Sequence, residues 1–146
     1  MEKALPHWIV CEYGGRSVLR KGLKVLVVDD DVVILEIARA RLEGMGHEVV
    51  TRSSAVGTTA TIIREKPDVI LLDVEMPLLS GDDIMHTIQE KRLLGDGEEV
   101  PVILYSGTEP SDLQRIVVET GALGAIHKAK DSAAFTAAFD EFVRQL

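Results

Sequence analysis

One stretch of the sequence decides the predicted fold: Val25-Leu26-Val27-Val28-Asp29-Asp30-Asp31. Four apolar residues run directly into three aspartates, which is typical of a buried strand that ends in a polar loop. Three later apolar runs end in the same manner, at Asp73, at Ser106 and at Lys128. Because the carboxyl ends of parallel strands meet at one edge of a sheet, where open α/β folds bind ligands, we expect these side chains to converge. Carboxylates, a hydroxyl and an ammonium together suit a divalent cation and a phosphoryl group.

Strand-like and helix-like segments alternate five times from Leu23 onward, which predicts βα repeats and a parallel sheet. The first, third and fourth strands are apolar throughout, so we expect them in the middle of the sheet, and a weaker strand over 47–51 at its edge. The helix signals are, in chain order, Leu35, Ala38, Leu42 and Met45 on one face, a segment from about Ala55 to Lys66, a third helix after Gly81, a capping box of Ser111 and Gln114, and a final stripe of Phe135, Phe139, Phe142 and Leu146.

Residues 1–22 do not share this alternation. Two strand-like segments, Trp8 to Tyr13 and Arg16 to Lys21, flank Gly14-Gly15, which predicts a β-hairpin because two-residue hairpin turns favour glycine. A disordered leader is the alternative that the sequence leaves open. We therefore divide the chain into an N-terminal extension, residues 1–22, and one domain, residues 23–146.

Length, charge and cysteine content limit the functions that the chain can have. A chain of 146 residues suits one core, and its net charge of −8 disfavours direct nucleic-acid binding. Of 16 basic and 24 acidic side chains, residues 1–22 hold four and two, so the rest of the chain holds 12 and 22. Cys11 is the only cysteine, which excludes an internal disulfide and fits a reducing compartment. No apolar run approaches the ~18 residues of a membrane span, so we expect a cytoplasmic protein without membrane insertion.

The ordered set of Asp29-Asp30, Asp73, Ser106-Gly107 and Lys128 resembles the phosphoacceptor receiver domain of bacterial two-component response regulators, of the stand-alone, chemotaxis type. The likeness covers roughly residues 23–146. It implies a flavodoxin-like α/β fold, with a doubly wound five-stranded parallel sheet of order 2-1-3-4-5 flanked by five helices, behind a short N-terminal extension.

The resemblance and the chemistry of the side chains together imply the role of each residue. Asp73 is the expected phosphoacceptor, and Ser106 and Lys128 are expected to bind phosphoryl oxygens. Gly107 leaves room for the phosphoryl group, and Glu75 at the pocket mouth is expected to tune the lifetime of the phosphorylated state. A magnesium ion is implied, with four expected ligands: Asp30 and Asp73 directly, Asp29 largely through water, and the backbone carbonyl of Glu75.

Two positions depart from the family pattern. Ala125 stands three residues before Lys128, where receivers commonly carry an aromatic residue, and Ala129 follows Lys128, where they usually carry proline. We expect a rearranged loop after Lys128 and altered signal transmission through the fourth helix and fifth strand of the receiver, with the phosphorylation chemistry intact.

Several of these residues also have a purely structural interpretation. Asp31 is expected to cap the following helix, whatever the roles of Asp29 and Asp30. The four histidines, His7, His47, His86 and His127, show no metal-ligand spacing and are expected to be surface or structural residues. A haloacid-dehalogenase-like phosphatase would need a second aspartate two positions after Asp73, where this chain has Glu75.

The predicted function is that of a receiver in a two-component phosphorelay. We expect it to take a phosphoryl group from a histidine kinase or a histidine phosphotransfer protein, to signal through contacts with a downstream protein target, and to dephosphorylate itself. It is not expected to be an enzyme that turns over an external substrate. The alternative is a pseudo-receiver, an interaction module whose partner binding ignores phosphorylation, and Ala125 and Ala129 favour it.

Overall fold

The computed structural model describes residues 8–13, 16–76 and 100–146, with side chains for 22–76 and 100–146. Within these residues, seven strands lie in two sheets. A two-stranded antiparallel sheet pairs β1 with β2, and a five-stranded parallel sheet has the order β4-β3-β5-β6-β7. The strands are β1 (Trp8–Tyr13), β2 (Arg16–Lys21), β3 (Lys24–Val28), β4 (Glu48–Arg52), β5 (Val69–Leu72), β6 (Val102–Ser106) and β7 (Gly124–His127). The order of the larger sheet is the predicted 2-1-3-4-5, so the expected fold class is confirmed.

Four helices of the described residues flank the parallel sheet. They are α1 (Val32–Gly44), α2 (Thr58–Glu65), α3 (Pro110–Thr120) and α4 (Ser132–Val143). The helix predicted after Gly81 and the turn predicted at Gly14-Gly15 lie outside the described residues. None of the helices in the described part of the chain has the length and apolar character that crossing a bilayer requires.

The central strands are buried on both faces. Val25 and Val27 of β3 pack into a core with α1 and α4, whereas Leu26 and Val28 face a second core with α2 and α3. This explains why β3, β5 and β6 are apolar throughout, because successive strand residues point to opposite faces and each face here meets helices. β4 lies at the edge, as its weaker apolar character predicts.

Helix α1 begins at a capped terminus beside the sheet edge. Asp31 has extended backbone geometry, and its carboxylate accepts a 2.9 Å hydrogen bond from the Val33 amide. The predicted capping role of Asp31 is confirmed. Because α1 starts directly after the aspartates that follow β3, the cap fixes the direction in which the chain leaves the sheet.

Three helix predictions were wrong in detail. α2 begins at Thr58 instead of Ala55, after Gly57 with a φ of 82°, a conformation that glycine adopts without steric cost. α3 begins at Pro110, so the proposed capping box of Ser111 and Gln114 lies within the helix; the ring of proline presets the φ that the first helical position needs. α4 ends at Val143, and Leu146, predicted in its apolar stripe, is 53% exposed.

Candidate functional site

Backbone pairing continues one residue beyond three strands of the parallel sheet. The Asp29 amide donates to the Arg52 carbonyl at 3.0 Å, and the Asp73 amide donates to the Val28 carbonyl at 2.9 Å. On the far side, the Lys128 amide donates to the Ser106 carbonyl at 2.9 Å. These bonds tie the site residues to the sheet itself, so their backbones inherit its rigidity rather than the mobility of free loops.

Three aspartates meet at this edge of the sheet. Asp29, Asp30 and Asp73 each offer one carboxylate oxygen, and the three oxygens lie within 4.8 Å of one another. Asp29 is 1% exposed and Asp73 is 2% exposed, whereas Asp30 faces solvent. Two buried carboxylates and one exposed one therefore share a small volume that opens to water on the side of Asp30.

The ammonium of Lys128 lies between the two buried carboxylates. Its Nζ is 2.8 Å from Asp29 Oδ2 and 3.3 Å from Asp73 Oδ2. The contact with Asp29 is an ion pair by distance, but its direction departs from hydrogen-bond geometry, so this buried oxygen has no aligned donor in the described part of the chain. The oxygen thus retains a lone pair for a further ligand.

Burial and charge act in opposite directions on the Lys128 ammonium. Burial by itself would lower the pKa of Lys128, but Asp29 and Asp73 together outweigh it and raise the pKa above its ordinary value. Lys128 is therefore held in its charged form at neutral pH, as a ligand for anionic oxygen atoms should be.

The carboxylate of Asp73 is held in a less favourable environment. Burial raises its pKa, the hydrogen bond from the Glu75 amide lowers it, the negative charge of Asp29 raises it, and Lys128 lowers it; the net direction is upward. The Glu75 amide donates to Asp73 Oδ1 at 3.0 Å, which leaves Oδ2 on the side of Lys128. The two oxygens of Asp73 are thereby distinguished and oriented.

The charges of the cluster do not balance. Three carboxylates and one ammonium give a net charge of −2 when all four groups are ionised. A divalent cation would neutralise this excess, and an all-oxygen set of ligands is the one that hard cations such as Mg²⁺ prefer. The orphaned lone pair of Asp29 and the exposed Asp30 fit such an ion.

A chain of hydroxyl groups runs from the sheet to the surface beside this cluster. The Ser106 hydroxyl, fully buried, donates to Thr108 Oγ1 at 2.9 Å, and the Thr108 hydroxyl donates to Glu75 Oε1 at 2.7 Å. The Thr108 amide also donates to Ser106 Oγ at 3.1 Å. The hydrogen of the Ser106 hydroxyl is therefore directed toward Thr108 and Glu75.

Gly107 separates the two hydroxyl residues and has room for a Cβ atom but no side chain of its own. A Cβ built there would have Glu75 Oε2 as its nearest neighbour, at 3.7 Å, which is ordinary van der Waals contact. The Glu75 carboxylate thus lies across the loop that follows β6. The Glu75 carboxylate therefore covers the space beside Gly107 in which the sequence analysis expects the phosphoryl group to bind.

The two departures from the receiver pattern have different structural contexts. Ala125 pairs with Leu104 in the sheet and packs in the core beneath α2 and α3. Tyr105 stands directly before Ser106 with its ring 5.9 Å from Lys128 Nζ, but it belongs to the opposite core. An aromatic ring therefore lies near the site, yet on the face of the sheet opposite Ala125. At Ala129 the chain continues in a trans turn.

All seven predicted site residues lie within the described part of the chain. Sequence reasoning missed Thr108, which links Ser106 to Glu75. A hydroxyl residue two positions after Ser106 is the pattern of a local side-chain-to-backbone turn, and this signal could have drawn attention to Thr108. The contact with Glu75, in contrast, joins two loops far apart in sequence.

The fold and this cluster agree with the comparison to known families. The profile of the response regulator receiver domain matches residues 25–140, and the chain belongs to this family. Receiver domains are signalling modules of two-component systems, not enzymes that turn over an external substrate.

Individual relatives support the same assignment. The chain is 29% identical to the alkaline phosphatase synthesis transcriptional regulatory protein PhoP of Bacillus subtilis over 99 residues, 68% of this chain and 39% of that protein. It is 31% identical to the phosphate regulon transcriptional regulatory protein PhoB of Pseudomonas aeruginosa, over 69% of this chain and 43% of that protein. The chain thus spans about two fifths of the length of these curated relatives.

Solved structures share the fold. A receiver domain protein of Clostridium thermocellum superposes with a TM-score of 0.68 at 25% identity, covering 84% of this chain and 94% of that one. A chemotaxis response regulator of Vibrio cholerae superposes with a TM-score of 0.71 at 22% identity, covering 83% and 98%.

Proposed function

We propose that this chain is a phosphoacceptor in a two-component phosphorelay and that it is phosphorylated on Asp73 in a Mg²⁺-dependent reaction. One observation carries the proposal: a buried, oriented Asp73 carboxylate lies beside a charged Lys128 and two further aspartates. Burial raises the pKa of Asp73, so its ionisation works against folding, and carboxyl groups shifted in this way are often found at functional sites.

The transfer step needs no protein group besides Asp73 to change its covalent bonds. A carboxylate oxygen of Asp73 donates an electron pair to phosphorus and forms a P–O bond. The bond between phosphorus and the donor atom, nitrogen in a phosphohistidine or oxygen in acetyl phosphate, breaks, and the donor atom keeps that electron pair. The product on Asp73 is an acyl phosphate.

Lys128 and Ser106 are proposed to bind the transferred group. Lys128 is held charged within ion-pair distance of Asp73 and can pair with a phosphoryl oxygen. The Ser106 hydroxyl can donate to a second oxygen after it leaves Thr108. Gly107 leaves the loop free of a side chain at the point where the group would pass.

A magnesium ion is proposed to bind Asp29, Asp30, Asp73 and the backbone carbonyl of Glu75. When bound it supplies positive charge beside the phosphoryl oxygens. The protein contributes the excess of two negative charges and the oriented carboxylates that select a small divalent cation.

Glu75 and Thr108 are proposed to set the lifetime of the acyl phosphate. The Glu75 carboxylate lies across the loop at the pocket mouth, where it can repel or orient an attacking water. A changed dephosphorylation rate in both Glu75→Ala and Thr108→Val would support this role. Equal dephosphorylation rates in wild type and Glu75→Ala would show that Glu75 does not set this lifetime.

A histidine kinase or histidine phosphotransfer protein is the proposed donor, and a downstream protein is the proposed target. The relatives that are named as transcriptional regulatory proteins are longer than this chain, which covers 39% and 43% of two of them, so the proposed output is limited to a protein contact. The second candidate, a pseudo-receiver that binds its partner regardless of phosphorylation, is favoured by Ala125 and Ala129 alone.

Intact mass after incubation with acetyl phosphate separates the two candidates. We expect a gain of one phosphoryl group in wild type with Mg²⁺, and none with chelator or in Asp73→Asn. Asp31→Asn is a matched control, because it removes a neighbouring carboxylate while asparagine still caps α1. Phosphorylation of Asp73→Asn equal to wild type would refute the assignment of Asp73, and an unmodified wild type would favour the pseudo-receiver.

A further inference from the structure

We propose that His127 is a positioning residue for Lys128: its imidazole holds the turn that presents the ammonium to the aspartates. The inference rests on the proposed function and adds a residue to it. His127 is the last residue of β7, it is partly buried, and its Nδ1 accepts a 3.0 Å hydrogen bond from the Ala129 amide.

The amides on both sides of this contact are also bonded. The Lys128 amide donates to the Ser106 carbonyl of β6 at 2.9 Å, and the Lys130 amide donates to the His127 carbonyl at 3.1 Å. Three successive amides, from 128 to 130, are therefore satisfied, and two of them use His127. One residue thus supplies both acceptors of the turn, one from its backbone and one from its side chain.

Helix α1 fixes the far end of the turn. Arg41 donates to the Lys130 carbonyl at 3.3 Å, and its guanidinium lies 5.3 Å from the centre of the Phe135 ring. The turn is consequently held at its beginning by the sheet, in its middle by the imidazole, and at its end by a side chain that is itself packed on the core.

The position of this backbone governs the chemistry because the Lys128 contacts are short. Nζ lies 2.8 Å from Asp29 and 3.3 Å from Asp73. A displacement on the order of 1 Å at a catalytic group can cost a hundredfold in rate. Loss of the bond to Ala129 would leave a turn amide without its acceptor and free the residue that follows Lys128.

The contact depends on two residue types together. Ala129 supplies an N–H group that proline at this position would lack. His127 supplies an acceptor two residues earlier, which is the arrangement that asparagine side chains also make with the backbone. Nδ1 must be unprotonated to accept, so the neutral ring carries its hydrogen on Nε2.

This equivalence defines a matched pair of variants in the full chain. His127→Asn keeps an acceptor for the Ala129 amide, and His127→Val removes it while retaining a side chain that suits a strand. We expect the initial rate of phosphorylation by acetyl phosphate, at saturating Mg²⁺, to fall about ten- to a hundredfold in His127→Val. In His127→Asn the rate is expected to stay within about threefold of wild type, because the bond is retained.

A positioning role must act through Lys128. In a Lys128→Met background, His127→Val is therefore expected to cause less than about a twofold further loss, because the group it positions is absent. A purely structural role would give the same fractional loss in both backgrounds. Equal rates in wild type and His127→Val would overturn the inference while leaving the proposed function in place.

A second measurement needs no phosphorylation. The partly buried, ion-paired Lys128 ammonium is expected to give a slowly exchanging proton signal in NMR spectra of lysine-labelled protein, assigned by its loss in Lys128→Met. The signal is expected to persist in His127→Asn and to shift or vanish in His127→Val. An unchanged signal in His127→Val would refute the inference even if wild type accepted no phosphoryl group.

Discussion

Replacement of Asp73 by asparagine tests whether the buried, charged Asp73 carboxylate lowers the free energy of unfolding of the protein. Asp73→Asn is nearly isosteric and retains an oxygen that can accept the Glu75 amide. Lys128 keeps its ion pair with Asp29 at 2.8 Å, so no buried charge loses its counter-charge. The perturbation therefore removes one buried charge and little else.

The expected change in stability of Asp73→Asn follows from three electrostatic interactions of Asp73 and its burial cost. At an effective dielectric constant of about 20, the 3.3 Å pair of Lys128 and Asp73 attracts by about 5 kcal/mol. On the same scale Asp29, with an oxygen within 4.8 Å of one from Asp73, repels by about 3.5 kcal/mol or more, and exposed Asp30 adds about 1 kcal/mol. The pair energies nearly cancel, so the burial cost decides the sign. We expect Asp73→Asn to be more stable than wild type by about 1–2 kcal/mol at pH 7 without Mg²⁺.

The difference in stability should depend on pH in one direction. The pKa of Asp73 is raised in the folded state, so its ionisation is easier in the unfolded chain. The contribution of Asp73 to stability is therefore fully present below its ordinary pKa of 3.8 and is lost as the pH rises through the higher folded pKa. The extra stability of Asp73→Asn over wild type is expected to grow as the pH rises from 3.8 through the folded pKa of Asp73, and to disappear in acid.

Urea unfolding followed by circular dichroism measures both variants, in chelator and in Mg²⁺. The only tryptophan, Trp8, lies in the extension, so helix signal is the better probe of the receiver. Wild type should gain RT ln(1 + [Mg²⁺]/Kd), about 2.7 kcal/mol at about one hundred times Kd, and Asp73→Asn should gain less. A variant that is less stable than wild type in chelator, or equal stabilisation of both proteins by Mg²⁺, would refute the reasoning.

Three further predictions concern single contacts, all measured by urea unfolding. Lys128→Met leaves buried Asp29 without its counter-charge and should cost about 3 kcal/mol, part of which Mg²⁺ restores; no loss in chelator would contradict the ion pair. Gly124→Ala would place a Cβ in steric overlap with the Phe142 ring and should cost about 1–3 kcal/mol, whereas wild-type stability would show that the ring moves freely. Asp31→Ala should cost about 1 kcal/mol and Asp31→Asn only a few tenths; equal losses would argue against the cap.

Structural features that depend only on residues close together in the sequence could be predicted from the sequence. The apolar run before Asp29 predicted a buried central strand because both faces of β3 meet helices. Asp31 was predicted as a cap because a short acidic side chain reaches the amide two residues ahead. The error at α3 has the same local origin, because Pro110 sets the first turn more strongly than the Ser111 and Gln114 pair.

The sequence by itself determined which residues end the strands, since the change from an apolar run to polar residues follows from burial and needs no long-range information. Only the tertiary structure decided what those residues do to one another. Parallel pairing brings Lys128 between Asp29 and Asp73, and loop packing aims Thr108 at Glu75. Such contacts depend on distances of 3 Å between groups far apart along the chain, and side-chain direction at that scale is set by the whole core rather than by any local pattern.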